Sequence, residues 1–229
     1  MGSTKRILCL ANSRKPYGRC VAGIELDKNG QPLGWIRPIS NREHDAVSEY
    51  ERQYQDGSDP RVLDVINVPL LEPRPKGCQQ ENWLLDPGYY WVLQRKAAAK
   101  ELIPLVTQTP TLWINGIHTY NGMNDELPLE TANALDSSLC LIRVDGIELR
   151  VYAPGQAFNN PKRRVQGWFQ HKGIEYGLWV TDPIIERSFL AKEDGNYHLG
   201  TCFLTVSIGE PDPNKNACYK LIASIIMER

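Results

Sequence analysis

The sequence predicts a mainly β protein: two small Greek-key barrels with short connecting helices. Three observations lead there. Short apolar runs recur along almost the whole chain, separated by turns that carry Gly, Pro, Asn and Asp. Stretches with helical spacing are few and short, so under a quarter of the residues should be helical. The run of strands also has a coarse echo, about five, then a helical junction, then about five or six more, and five-stranded Greek-key barrels have that count. The expected domains are residues 1–110 and 111–229, with the junction around 105–125.

The first forty residues set the pattern. Arg6 to Ala11, Gly18 to Glu25 and Gly34 to Ser40 read as three strands with polar, glycine-bearing connections. Residues 43–59 are acidic, with Val47, Tyr50 and Tyr54 at helical spacing, and predict a short helix or an acidic loop ended by Gly57-Ser58-Asp59-Pro60. Val62 to Leu70 is rich in β-branched residues and reads as a strand, as does Tyr89 to Leu93. Ala97 to Ile103 has good helix formers and stops near Pro104. A second short helix is expected from Leu129 to Leu135. Beyond it, Asp145-Gly146 between Leu139–Val144 and Ile147–Tyr152 predicts a two-residue hairpin. Lys172-Gly173 predicts another tight turn, and Thr181-Asp182-Pro183 starts a short helix through Phe189. His198 to Ile208 and Tyr219 to Ile226 close the chain as two strands.

Composition narrows the class. With 41% hydrophobic and 23% charged residues the chain has enough of each to build and cover a core. A formal net charge of −1 argues against nucleic-acid binding by bulk electrostatics, though not against a local basic face. Residues 1–42 hold such a concentration, eight Lys and Arg against two Asp and Glu. None of the six cysteines forms a C-x-x-C pair, so they read as reduced, zinc-free thiols in a cytoplasmic protein, with Cys20 buried despite its neighbour Arg19. No apolar run approaches the ~18 residues of a membrane span, and a myristoylation reading of Met1-Gly2 fails at Arg6. His44, His118, His171 and His198 lack ligand spacing and read as surface or packing residues.

Seven motifs occur in order: Leu10–Lys15, Gly18–Gly23, Trp35–Ser40, Leu63–Val65, Gln80–Trp83, Val180–Pro183 and Tyr219–Ala223. On these the chain resembles the bacterial dual OB-containing domain family, from about Arg6 to Ile226. The resemblance implies two OB-like barrels and a nucleic-acid-binding role, and it suggests a defence or mobile-element assembly as the setting. It carries no catalytic residues, and Cys78-Gln79 stands where a histidine is expected.

The candidate binding residues form two groups. Arg14, Lys15, Arg19 and Arg37, with Trp35, Glu81 and Asn82, could make a phosphate-tracking face; the alternative is a solvated surface paired with the acidic run. Arg37 either meets a buried carboxylate, Asp64 or Glu81, or points into a pocket. Glu81 and Asn82 either read a base edge or belong to a structural network. Lys162, Arg163 and Arg164 lead into Trp168, the combination that stacked bases over a basic groove require, or else a charged edge strand. The expected function is a non-catalytic module for single-stranded nucleic acid or a nucleotide, with no cofactor and no membrane contact. The rivals are a protein-interaction module in a larger assembly and a nucleotide-processing enzyme. For an enzyme, Asp64 with Glu81 and Asp182 with Glu186 are the carboxylate pairs to consider.

Overall fold

The apolar run at the N-terminus is longer than one strand partner can use. In the computed structural model, which describes residues 2–212 and 214–228, β1 (Ser3–Lys15) pairs through its first half with β4 (Asp64–Pro73) and through its second half with β2 (Gly18–Leu26). A bulge between Cys9 and Ala11 marks the bend. Opposite Cys9 lies Gly23, where a Cβ would run into the Leu8 carbonyl, so only glycine lets β2 come this close.

β3 (Pro32–Ile39) pairs with β2, and β5 (Asn82–Leu85) lies parallel to β3 and antiparallel to β4. The order β1-β2-β3-β5-β4 therefore returns to β1, a closed five-stranded barrel. β6 (Val92–Lys96) extends it from β4, while Tyr89 and Tyr90, expected within this strand, precede it. The acidic run supplies the crossover between β3 and β4. It contains α1 (Glu49–Arg52), started by a reciprocal capping box of Ser48 and Glu51. The core of this barrel gathers Ile7, Val21, Ile36, Ile66, Leu70 and Trp91. The unit comprises Met1–Leu105 together with Asp136–Ser138.

The second unit, Val106–Leu135 with Leu139–Arg229, repeats this topology. Its strands are β7 (Glu126–Pro128), β8 (Leu139–Val144), β9 (Ile147–Tyr152), β10 (Arg164–His171), β11 (Ile174–Val180), β12 (Gly195–Leu199), β13 (Cys202–Ile208) and β14 (Ala217–Met227). The order runs β9-β10-β11-β14-β13-β8, with β11 and β14 parallel as β3 and β5 are. α2 (Leu129–Asn133) precedes β8, and α3 (Pro183–Leu190) follows β11 as α1 follows β3. Asp182 caps α3, accepting from the amides of Ile184 and Ile185, and its other oxygen accepts from Ile225.

Two expectations are corrected here. Asp145-Gly146 is not a hairpin: β8 pairs with β13 and β9 with β10, and neither turn residue has the positive φ that a type I′ turn requires. The two strands are instead one long strand interrupted at its bend, doing together what β1 does alone. Lys172 and Gly173, at φ 52° and 79°, do make the tight turn expected of them. The single strand expected from His198 to Ile208 is two, β12 on the edge of β9 and β13 in the barrel. Among the described residues 49% are in strands and 13% are helical, within the limit expected from the sequence.

Candidate nucleic-acid interface

In the first unit, Arg14, Lys15 and Arg19 come together at the tip of the β1–β2 hairpin. Arg14 and Arg19 are direct cross-strand partners, and Lys15 faces Gly18. Tyr17, in the turn at φ 61°, is exposed and stacks on His44 at 6.0 Å between ring centroids. The backbone of Arg19 exchanges hydrogen bonds with Val47, which ties the tip to the crossover. Cys20, expected to be buried, is partly exposed here.

The other members of the first predicted group do not join this tip. Arg37 is 1% exposed, and its Nη2 lies 3.0 Å from Glu81 Oε1 and donates to Ser138 Oγ at 2.8 Å. Ser138 in turn donates to both oxygens of Glu81, through Oγ to Oε1 and through its amide to Oε2. Asn82, the register partner of Arg37 on β5, is fully buried and donates to Gln79. Arg37, Glu81 and Ser138 thus form a buried network, separate from the Asn82–Gln79 pair, and it closes the pocket reading of Arg37: the carboxylate partner is Glu81. Asp64 instead accepts from Tyr54. Trp35 is partly exposed on β3, opposite Ile24.

In the second unit the interface assembles from strand alternation. On β9, Ile147, Leu149 and Val151 point inward, leaving Glu148, Arg150 and Tyr152 on the outer face. On β10, Arg164, Gln166 and Trp168 share that face, and on β11 Trp179 and Gly177 do. Register places Gln166 between Arg150 and Trp179, and Trp168 between Glu148 and Gly177.

These side chains form layers. The Arg150 guanidinium lies 4.1 Å from the Trp168 ring centroid, and that of Arg164 lies 3.9 Å from Trp179. Tyr152 and Trp179 have centroids 6.0 Å apart. Beneath Trp168, a Cβ on Gly177 would come within 2.8 Å of the indole, so the glycine lets the ring lie flat on the backbone. Gln166 locks the set: its Oε1 accepts from Tyr152 Oη and Trp168 Nε1, both at 2.9 Å, and its Nε2 donates to Asn121 O at 2.6 Å. The indole N–H can only donate, which fixes the amide's orientation. Burial raises the pKa of Tyr152 despite Arg150 and Arg164 nearby, keeping its hydroxyl a donor.

Of the predicted basic run, Lys162 is exposed and Arg164 joins the stack. Arg163 is engaged within the protein. It pairs with Asp194 at 2.6 Å and donates to the carbonyls of Leu190 and Lys192, at the end of α3. Arg150, Tyr152, Gln166 and Trp179 were not among the residues singled out from the sequence. Their signal was there in the period-two alternation of β9 to β11. Among the described residues no three or more His, Cys, Asp or Glu are placed to hold a metal ion, and no helix is long and apolar enough to cross a membrane.

A family model described as a dual OB-containing domain matches residues 5–225. Comparison with curated proteins finds no match, and neither does comparison with solved structures.

Proposed function

The chain belongs to the dual OB-containing domain family, and from that premise we propose that it is a non-catalytic module that binds single-stranded nucleic acid on the outer face of β9, β10 and β11. One observation carries the reading: guanidinium and indole planes alternate on that face, Arg150 on Trp168 and Arg164 on Trp179. Unpaired bases stack on aromatic rings and on arginine planes alike, and the edges of the same guanidinium groups reach phosphate oxygens. A duplex keeps its base faces covered, so such a surface favours single strands. The hairpin tip with Arg14, Lys15, Arg19 and Tyr17 is a second phosphate-contacting element, at the loop between the first two strands that OB barrels commonly use for ligands.

Fluorescence anisotropy with labelled single-stranded DNA, single-stranded RNA and duplex tests the reading. The expected result is a preference for single strands. Trp168→Ala and Trp179→Ala should each weaken binding roughly tenfold, since stacking is worth about 1–3 kcal/mol per base. Unchanged affinity in both folded variants would overturn it.

A second reading, a protein-interaction module, has one observation in its favour. Tyr89, Tyr90, Val92 and Leu93 are exposed together at and before the edge strand β6. It leads if no oligonucleotide binds.

A further inference from the structure

Beside Trp168 the outer face dips into an open cleft. His118 and residues 120–123 line it together with residues 194–196 and with Arg150, Gln166 and Trp168 on the sheet, and its volume is about 750 Å³. That size falls within the ~300–1,000 Å³ of small-ligand pockets.

Hydrogen bonds and an ion pair brace the two sides. On the first, the buried Lys220 ammonium donates to the carbonyls of Ile114 and Asn124, each at 2.6 Å. Asp125 accepts from the amide and hydroxyl of Thr119, and Gln166 holds Asn121 from below. A Cβ on Gly122 would collide with the Asp125 carboxylate, so the turn closes only around glycine. The second wall is held by the Arg163–Asp194 pair, which gives that predicted basic residue a positioning role. Asn196 stands on β12 directly opposite Arg150.

The lining is chemically specific. The Arg150 guanidinium, backed by the Trp168 ring, offers a flat heterocycle a planar face. The side-chain amides of Asn121 and Asn196, with Tyr120 and His118 at the rim, offer both donors and acceptors. A nucleobase edge presents the same mixture.

Resting on the binding face proposed above, we infer that this cleft is a subsite for one unpaired nucleobase, turned out of a strand that crosses β9 to β11. Most bases of the strand stack without selection, and the one in the cleft is also read by its edge.

The test uses the full chain and a labelled single strand in which an abasic nucleotide is moved one position at a time. The expected profile has one position where removing the base weakens binding about tenfold, with much smaller effects elsewhere. Asn196→Trp, which fills the cleft beside Arg150, should abolish that one-position effect, and Asn121→Leu is the second variant should the first fail to fold. An even profile, or a one-position effect that persists in both folded variants, overturns the subsite and leaves the binding face standing. Absence of any oligonucleotide binding overturns both.

Discussion

Arg37 shows how a charge that looks available in sequence can be wholly committed in the fold. Its Nη2 is held between Glu81 and Ser138 at a buried site, while its Nε has no hydrogen-bond partner there. Removing one member of a buried pair strands the other, so Arg37→Ala should lower stability by about 3–5 kcal/mol, while an apolar replacement of both Arg37 and Glu81 should cost far less. Denaturant unfolding of the single and double variants measures this. Lys220 provides a second test. Burial pushes its pKa down to about 8, against the pull of Asp125. An exposed lysine titrates near ~10.4, so between those values the unfolded chain binds more protons and stability rises with pH. The difference in unfolding free energy between the wild-type protein and Lys220→Met should therefore grow in favour of the wild type by roughly 3 kcal/mol across that window, at 1.36 kcal/mol per pKa unit. A flat difference would place the Lys220 pKa at its ordinary value.

At the scale of elements, both barrels depend on a first strand that bends to serve two partners. β1 does so with a bulge and the close approach of Gly23, β8 and β9 with an interruption at Asp145-Gly146. Gly23→Ala must push backbone rather than a flexible side chain, so it should destabilise by about 2 kcal/mol or more, above the ~1 kcal/mol typical of point substitutions; thermal unfolding checks it. The strands themselves were legible because apolar and polar residues alternate along them, as in Ile147–Tyr152, or run continuously where both faces are covered, as in Ile7–Ala11. Asp145-Gly146 was misread because turn chemistry is local, whereas the pairing of β8 with β13 spans some sixty residues of chain and is set by barrel closure. The interface was half legible for the same reason. Arg164 and Trp168 stand out beside a basic run, but the lock formed by Gln166 depends on cross-strand register, which no single stretch of sequence displays.

For the whole molecule, a net charge of −1 leaves no long-range field to gather a polyanion, so any affinity must come from particular sites. Many of the cations are already matched: Arg163 by Asp194, Arg52 by Asp59, Lys76 by Asp45, Arg95 by Glu101. Arg150 also has a carboxylate neighbour, Glu148, yet keeps its plane over Trp168. Binding should accordingly combine a modest number of phosphate contacts with stacking, and part of it should survive high salt. The most direct measurement is the slope of log K against log salt for a single-stranded oligonucleotide, taken on the wild-type chain and on the double variant Arg150→Gln, Arg164→Gln. The wild-type slope should be negative and the variant's shallower by about 1.4, at about 0.7 for each single-strand phosphate the variant no longer neutralises. Equal slopes in the two proteins, or no binding at any salt, would contradict the assignment of this face.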